Sequence, residues 1–279
     1  MKIHVINTGN FKLDGGAMFG VVPKTLWSKT NPCDENNMCS WAMRCMLIEI
    51  ENKKILIDTG IGNKQSEKFF KYFYLHGQDN LLKSLHNINI SEDEITHVFF
   101  SHLHFDHCGG AIIKKNNNLE LLFKNAEHLT NKQHWELANN PNKREKASFL
   151  KENFSLIEKK NKLKFIHEGK FHEKIYVRFF HGHTTAQMIP IITFQNKKIV
   201  FMADLLPSIG HIPLPYVMGY DTQPLITLKE KEAFFQEAVD NKYILFLEHD
   251  YEYEACTLKE TDNGIRLDKY GNLKELLSL

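Results

Sequence analysis

The sequence lacks the features that would mark a membrane or a secreted protein. No apolar run approaches the roughly 20 residues that a membrane-spanning helix needs. The first stretch, MKIHVINTGNFKLDGG, has neither an apolar core of signal-peptide length nor a small-residue cleavage pattern. Cysteine is scarce, with 5 in 279 residues, and the odd count argues against a disulfide framework. We therefore expect a reduced, cytoplasmic protein without a membrane partner.

An excess of charge of one sign is also missing. The chain carries 35 basic and 34 acidic residues, a formal net charge of +1, so no global field would steer it toward nucleic acid. Its length suits one large α/β domain or two small ones. Because no linker, repeat or low-complexity tract divides the sequence, we expect a single domain over residues 1–279.

Apolar and β-branched runs bounded by turn residues predict eight strands. They cover residues 2–7, 46–51, 54–58, 96–101, 174–180, 188–195, 198–203 and 243–248. The step Gln195-Asn196-Lys197 predicts a hairpin turn between two of them. Continuous apolar strands separated by helices are typical of a layered α/β fold with buried sheets.

Helix signals fall between these strands. The candidates are residues 66–76, 80–86, a short segment after Gly109-Gly110, 131–139, 143–160 and a segment ending near Asn241. Thr130 is expected to cap the helix at 131–139. Thr227 with Glu230 matches a T-x-x-E capping box that would open the last helix.

Histidine is unevenly distributed. Residues 99–110 read FFSHLHFDHCGG, which places His102, His104, Asp106 and His107 within six positions after an apolar run. Residues two apart in an extended segment point to the same side, so His102 and His104 could reach one ion. Asp106 and His107 follow as the chain turns and could face a second position. Burying such groups together without a cation would be costly, so the cluster predicts a metal site.

Other apolar strands end in the same residue types. ILI runs into Asp58, YVRFF into His181 and His183, IVFMA into Asp204, and YILFLE into His249. Ligands bind at the carboxyl edge of α/β sheets because strand ends converge there. Imidazole and carboxylate ligands without cysteine suit zinc, and also iron, manganese or cobalt. Two such ions about 3.5–4 Å apart would form a hydrolytic centre.

Several neighbouring residues have plainer interpretations. His181 is expected to be structural or supporting, and isolated histidines such as His128 and His134 are expected to be surface or hydrogen-bonded residues. Cys108, followed by Gly109-Gly110, indicates tight backbone packing rather than a nucleophile.

The motif H-x-H-x-D-H after an apolar strand, with later single His, Asp and His ligands, resembles the metallo-β-lactamase superfamily. The resemblance covers the chain from Asp58-Thr59-Gly60 to His249. It implies a four-layer αβ/βα sandwich with two divalent metal ions, zinc foremost, at one edge of the sheets. The implied ligands are His102, His104 and His183 for one metal, Asp106, His107 and His249 for the other, and Asp204 for both. Asp58 would orient ligands without binding metal.

Two further stretches narrow the resemblance. LDGGAMFGVVPKTLW (13–27) and DLLPSIGHIPLPYVMGYDTQP (204–224) look like the quorum-quenching lactonases, particularly the YtnP-like ones, and HLHFDHCGG is common among N-acyl homoserine lactonases. His104, where flavodiiron oxidoreductases usually carry glutamate, favours hydrolysis. The resemblance implies that a metal-bridging hydroxide opens a small-molecule lactone, with Asp106 passing the proton to the leaving group. It also implies a possible homodimer.

One position departs from the lactonase pattern. Pro207 stands where well-known homoserine lactonases carry a tyrosine that helps to hold the lactone carbonyl. His211, Tyr216 or Tyr220, in the following loop, could supply a donor instead, and loop packing around the nearby prolines is the alternative interpretation. Because of this difference, the sequence does not fix which lactone or ester is the substrate.

The sequence offers two candidate walls for an acyl pocket and two alternative functions. Met18 and Phe19 are candidates for the pocket wall, because the flanking glycines suggest an exposed loop. The aromatic segment with Phe69, Phe70 and Phe73 could serve likewise or form core. The same metal centre could hydrolyse other esters or phosphotriesters, or the fold could serve as a non-catalytic ligand-binding regulator.

Overall fold

Fifteen strands and nine α-helices form the structure, a computed structural model that describes residues 1–279. The strands are β1 (Lys2–Asp14), β2 (Met38–Ile50), β3 (Lys53–Ile57), β4 (His97–Phe99), β5 (Ile112–Lys115), β6 (Asn118–Leu121), β7 (Glu127–Thr130), β8 (Leu163–Phe165), β9 (Gly169–His172), β10 (Ile175–Phe180), β11 (Gln187–Phe194), β12 (Lys197–Phe201), β13 (Ile244–Phe246), β14 (Ala255–Lys259) and β15 (Arg266–Gly271).

The helices are mostly short. They are α1 (Gly15–Phe19), α2 (Lys24–Trp27), α3 (Glu67–Phe70), α4 (Leu81–Asn87), α5 (Phe105–Cys108), α6 (Lys132–Asn139), α7 (Ser155–Lys159), α8 (Pro224–Asp240) and α9 (Leu273–Ser278). None of them has the length and apolar character needed to cross a membrane.

The chain divides into two units, of which the first comprises Met1–Asn10 and Met43–His167. Its strands belong to a six-stranded sheet in the order β1-β2-β3-β4-β7-β8 and to the hairpin β5-β6. β3, β4, β7 and β8 run parallel to one another, with Ile57 of β3 opposite Phe99 of β4. Parallel strands end at the same edge, so the residues after Ile57 and Phe99 emerge side by side.

The second unit comprises Phe11–Ala42 and Glu168–Leu279. Its seven-stranded sheet has the order β15-β14-β13-β12-β11-β10-β9, and only β12 and β13 in it are parallel. The long helix α8 contributes Phe234 and Phe235 to the buried core, where Phe234 meets Phe180 edge-on at 5.6 Å. The parallel pair delivers the residues after Phe201 and Phe246 to one edge.

The eight predicted strands are all present. The structure has seven further strands, which no long apolar run in the sequence indicates. β5–β9, β14 and β15 are short or rich in exposed polar residues, and β8, β9 and β15 lie at sheet edges. Exposed polar side chains in these strands interrupt the apolar pattern by which a strand is recognised in a sequence. The predicted hairpin turn is confirmed, since Phe194 pairs with Lys197 and Gln195 adopts a positive φ of 53°.

Two helix predictions are wrong in extent. Residues 143–160 do not form one helix. Residues 143–148 form turns, in which the Ser148 amide donates to the Glu145 carbonyl at 2.8 Å and the Asn142 side chain accepts the amides of Arg144 and Glu145. Only α7 and a short 3-10 helix remain of that segment. Of residues 66–76, only α3 is α-helical.

The predicted caps are also displaced. Asn131, not Thr130, caps α6, since its side chain accepts the amide of His134 at 2.8 Å. α8 begins earlier than predicted, with Pro224 in its first turn, and Thr227 is buried inside it. Proline at the first helical position has the right φ and needs no amide partner.

All five cysteines are free thiols, four of them buried. The cytoplasmic location expected from the sequence stays a prediction.

A buried histidine in the first unit gives a prediction for acid stability. His128 of β7 is fully buried near the Phe100 ring, and burial lowers its pKa to about 4. In the unfolded chain it would take up a proton below its ordinary pKa of 6.5, whereas the folded protein would not. The buried neutral ring therefore costs no stability above pH 6.5. As the pH falls from 6.5 toward 4, His128 lowers the free energy of unfolding by about 2–3 kcal/mol.

We expect His128→Leu to reduce the loss of unfolding free energy between pH 7 and pH 4.5 by about that amount. The measurement is urea unfolding at both pH values for the wild type, this variant and His167→Leu, which changes an exposed histidine. An equal pH slope in the wild type and His128→Leu would contradict the assignment.

Candidate metal centre

The histidine-rich motif follows β4 and turns into α5. His104 precedes the helix with extended backbone (φ −66°, ψ 156°), and Asp106 and His107 lie within it. All four ionisable residues of the motif, including His102, are buried. The extended-to-helical turn thus presents two histidines before the helix and a carboxylate with a third histidine inside it.

His102 and His104 direct ring nitrogens at each other. Nε2 of His102 lies 3.0 Å from Nδ1 of His104, and the rings are nearly perpendicular at 4.4 Å. His107 is close to the same pair, with its ring centroid 3.9 Å from that of His102. Oδ2 of Asp106 lies 3.9 Å from Nε2 of His107. Imidazole nitrogens converging in this way suit a shared cation.

Asp58 lies behind the motif at the end of β3. Its Oδ1 accepts a hydrogen bond from the Ser101 amide at 2.7 Å, and its Oδ2 accepts the Ser101 hydroxyl. Nδ1 of His107 lies 3.0 Å from Oδ2 of Asp58. When Nδ1–H donates to this carboxylate, the lone pair is on Nε2, which is the tautomer that binds metal.

His134 and Glu145 support the motif but were not predicted to do so. Nε2 of the buried His134 accepts the amide of Leu103 at 2.8 Å, which fixes the backbone between His102 and His104. Oε1 of Glu145, also buried, lies 3.7 Å from Nε2 of His104. His134 fits its expected hydrogen-bonded role, whereas Glu145 lies among charged residues and has no local sequence signal of burial.

The Gly109-Gly110 pair confirms the expected close packing. A Cβ at Gly109 would lie 2.2 Å from the Ile61 carbonyl oxygen, and one at Gly110 would lie 2.2 Å from that of Thr59. Cys108 is buried and its thiol donates to the Leu103 carbonyl at 3.3 Å. Burial raises the pKa of Cys108 to about 12, which excludes a thiolate nucleophile at neutral pH.

In the second unit, one carboxylate faces two histidines. Asp204 follows β12, His183 follows β10 and His249 follows β13. Oδ2 of Asp204 lies 3.1 Å from Nε2 of His183, and Oδ1 lies 3.3 Å from Nε2 of His249. All three side chains are buried. Each oxygen therefore faces a different imidazole, and buried carboxylate and imidazole groups of this kind suit a divalent cation.

The far sides of these histidines are also bonded. Nδ1 of His183 lies 2.9 Å from Oδ1 of Asp221, and Nδ1 of His249 lies 2.8 Å from the Ala42 carbonyl. With Nδ1 directed at an oxygen in each ring, Nε2 is the nitrogen left to bind a metal. Asp221 was missed because it lies in a loop, away from any strand end.

The electrostatics of this cluster favour a positive charge. Burial lowers the pKa of His183, but Asp204 and Asp221 outweigh this effect and raise it to about 10. Two buried carboxylates around one imidazole thus call for a cation, which a divalent metal would supply. The histidine and aspartate clusters support divalent metal binding.

The contacts of His211 favour the packing alternative over a role in substrate binding. The residue is buried, and burial lowers its pKa to about 3, so the ring is neutral. Nε2 lies 2.9 Å from the Met18 carbonyl and Nδ1 lies 2.8 Å from the Ser208 hydroxyl, so both nitrogens are engaged. Tyr216 is partly buried and Tyr220 is exposed.

The expected exposed loop at Met18 and Phe19 is wrong. Both residues are buried in α1, and Phe19 lies between the rings of Trp27 (5.3 Å) and His211 (4.3 Å). Gly15 serves close packing rather than exposure, since a Cβ there would lie 2.3 Å from the Trp27 ring. Whether Met18 and Phe19 form a pocket wall stays a prediction.

The aromatic segment of the first unit packs on the motif itself. Phe69 and Phe73 contact Phe105 with ring centroids 5.5 and 4.8 Å apart. Phe105 lies between His104 and Asp106 in sequence, so an apolar aromatic group adjoins the candidate ligands.

The sequence is similar to one known superfamily and to a lactonase within it. The family model of the metallo-beta-lactamase superfamily matches residues 44–249. An N-acyl homoserine lactonase of a Bacillus species is 25% identical over 233 residues, which cover 75% of this chain and 82% of that protein.

Two solved structures are similar over almost the whole chain. A probable metal-dependent hydrolase from Staphylococcus aureus is 33% identical, with a TM-score of 0.87 over 97% of this chain and 96% of that one. AidC, a dizinc quorum-quenching lactonase in complex with a product, is 22% identical, with a TM-score of 0.78 over 95% of this chain and 93% of that one.

Proposed function

Since the chain belongs to the metallo-beta-lactamase superfamily, we propose that it opens lactone rings, with N-acyl homoserine lactones as substrates and quorum quenching as the role. The chain has the family's mixed α/β fold and is a metal-dependent hydrolase. The observation that carries the proposal is the Asp204 carboxylate, whose oxygens each face Nε2 of a different buried histidine. The lactonase relative, similar over most of its length, supports the choice of a lactone.

The proposed centre holds two divalent ions, zinc foremost, in a single domain. The ligand sets follow the motif: His102, His104 and His183 for one ion, Asp106, His107 and His249 for the other, with Asp204 shared. The geometry within each cluster fits this chemistry, because His107, His183 and His249 each direct Nδ1 toward an oxygen and keep Nε2 for the metal. The homodimer stays a prediction.

The ions, when bound, would lower the pKa of a water molecule and polarise the ester carbonyl. Asp106 would carry the proton from the attacking water to the alkoxide that leaves as the ring opens. Tyr216 or Tyr220 would donate to the substrate carbonyl in place of the tyrosine that Pro207 replaces. The aromatic group of Phe69, Phe73 and Phe105 would offer an apolar surface to the acyl chain.

The proposal is tested by measuring metals per chain and following acid release with a panel of acyl homoserine lactones, other lactones, open-chain esters and phosphotriesters. We expect two metals and the highest kcat/KM for acyl homoserine lactones. Faster turnover of phosphotriesters or open-chain esters would favour another hydrolase on the same centre. Bound metal with no turnover of any substrate would favour a ligand-binding regulator.

Two variants test the motif directly. His104→Ala and Asp106→Asn should each lower kcat/KM by at least about 10³-fold, because each removes a proposed ligand. His86→Ala, a change of a histidine that is 56% exposed, is the matched control and should keep full activity. Full activity of either motif variant would refute the site assignment.

A further inference from the structure

The segment that joins Asp204 to Asp221 is connected to all three candidate ligands of the second unit, either directly or through a neighbouring residue. We call residues 205–220 the ligand strap. It begins after Asp204 and ends before Asp221, the partner of His183. Between them, the Ile209 amide donates to Oδ2 of Asp250, the residue after His249, at 2.9 Å.

The ends of the strap have their own anchors. Asp204 follows β12, whose parallel pairing with β13 fixes its position at the sheet edge. At the other end, the Gly219 amide donates to the Ala17 carbonyl at 2.8 Å and the Thr222 amide to the His183 carbonyl at 3.1 Å. The middle, residues 211–216, belongs to no strand or α-helix and includes Pro213 and Pro215, which have no amide hydrogen to donate.

The His211 ring anchors the first residue of this middle section, and one side chain of α8 binds its backbone at three points. Nζ of Lys231 lies 2.7 Å from the His211 carbonyl oxygen, 2.9 Å from that of Tyr216 and 3.5 Å from that of Pro213. An ammonium group has three hydrogens, so three carbonyls along the strap match its donors. Lys231 is only 1% exposed, and Phe235 covers it with its ring centroid 5.7 Å from Nζ.

A buried lysine in this setting is unusual enough to need a reason. Burial lowers the pKa of Lys231 to about 8, because the charged form loses its hydration. Lysine is almost never fully buried unless it is paired, and an apolar side chain would fill the same space without that cost. Lysine, unlike an apolar residue, supplies hydrogen-bond donors to the main-chain carbonyls.

We propose that Lys231 is a positioning residue that fixes residues 211–216 of the ligand strap and, through Tyr216, sets the affinity for substrate. Its kinetic consequence rests on the proposed function, in which Tyr216 or Tyr220 contacts the substrate carbonyl. Since the strap ends have independent anchors, loss of the ammonium group would release the middle and leave the metal ligands in place. Lys231 would therefore act on KM more than on kcat.

The test compares Lys231→Met, which keeps length but has no donors, with Lys231→Arg, which keeps donors. The control is Lys229→Met, an exposed lysine two residues earlier on α8. For Lys231→Met we expect KM to rise at least about tenfold, kcat to change less than about threefold, and metal content to stay unchanged. Hydrogen exchange of the amides in residues 211–217 should accelerate at least about tenfold, with partial recovery in Lys231→Arg.

Unchanged exchange in residues 211–217 of Lys231→Met would overturn the proposal, as would equal losses in Lys229→Met. If Lys231→Met does not fold, Lys231→Leu, which also has no donors, replaces it under the same criteria. The exchange measurement needs no substrate, so it separates the two claims. Faster local exchange in a protein that opens no lactone would refute the proposed function alone. Lactone opening with KM unaffected in Lys231→Met would refute the positioning role alone.

Discussion

Replacing Asp204 by asparagine is expected to lower kcat/KM for lactone opening by at least about 10³-fold, the largest effect of any single change in the second unit. Asparagine keeps the shape of the side chain, so packing around the buried position should persist. It removes the negative charge, however, and only one of its two terminal atoms can bind a cation. In the native protein both oxygens are used, one toward His183 and one toward His249.

The same substitution should change metal content. With its bridging carboxylate lost, the centre should retain less than two equivalents of metal after dialysis, whereas the wild type should retain two. Asp262→Asn makes the same chemical change at an exposed position and should affect neither quantity. Wild-type kcat/KM in Asp204→Asn would show that the carboxylate does not bridge the metals.

Replacing Asp58 by asparagine is expected to lower metal affinity and activity by about 10–100-fold, although Asp58 is not itself a proposed ligand. Its backbone φ is 58°, a conformation that asparagine tolerates as well as aspartate does, so the fold should not be strained by the change. The amide cannot accept from Ser101 and from His107 as the carboxylate does. His107 would then lose the contact that keeps its Nε2 lone pair toward the metal.

Isothermal titration of metal-free protein with zinc measures the metal affinity, and kcat/KM at saturating zinc measures the activity that remains when metal is bound. We expect weaker binding in Asp58→Asn and partial recovery of activity as zinc is raised. The exposed Asp79→Asn is the matched control. Wild-type affinity and activity in Asp58→Asn would mean that the hydrogen bond to His107 has no role in the centre.

The sequence reveals the parts of the structure that are encoded locally. Buried parallel strands are continuous apolar runs, so β3, β4, β12 and β13 could be located, and with them the residues that follow each strand. The extended spacing of His102 and His104 likewise predicts the convergence of their ring nitrogens that the structure shows.

Residues that act through tertiary contacts could not be found in the same way. Asp221 lies in a loop, Glu145 lies among exposed charges and Lys231 lies on a helix, and nothing in their local sequence distinguishes them from solvated residues. Met18 and Phe19 show the converse error. Their flanking glycines look like those of a flexible loop, but at Gly15 the missing side chain makes room for Trp27.

The central claim is that two metal ions in this site activate water for the opening of a lactone. The most direct measurement is the rate of acyl homoserine lactone opening as metal-free protein is titrated with zinc, with bound metal determined at each point. We expect negligible activity without metal and a rate that rises to a plateau at two equivalents per chain. A full rate at zero or one equivalent, or two bound equivalents without lactone opening, would contradict the claim.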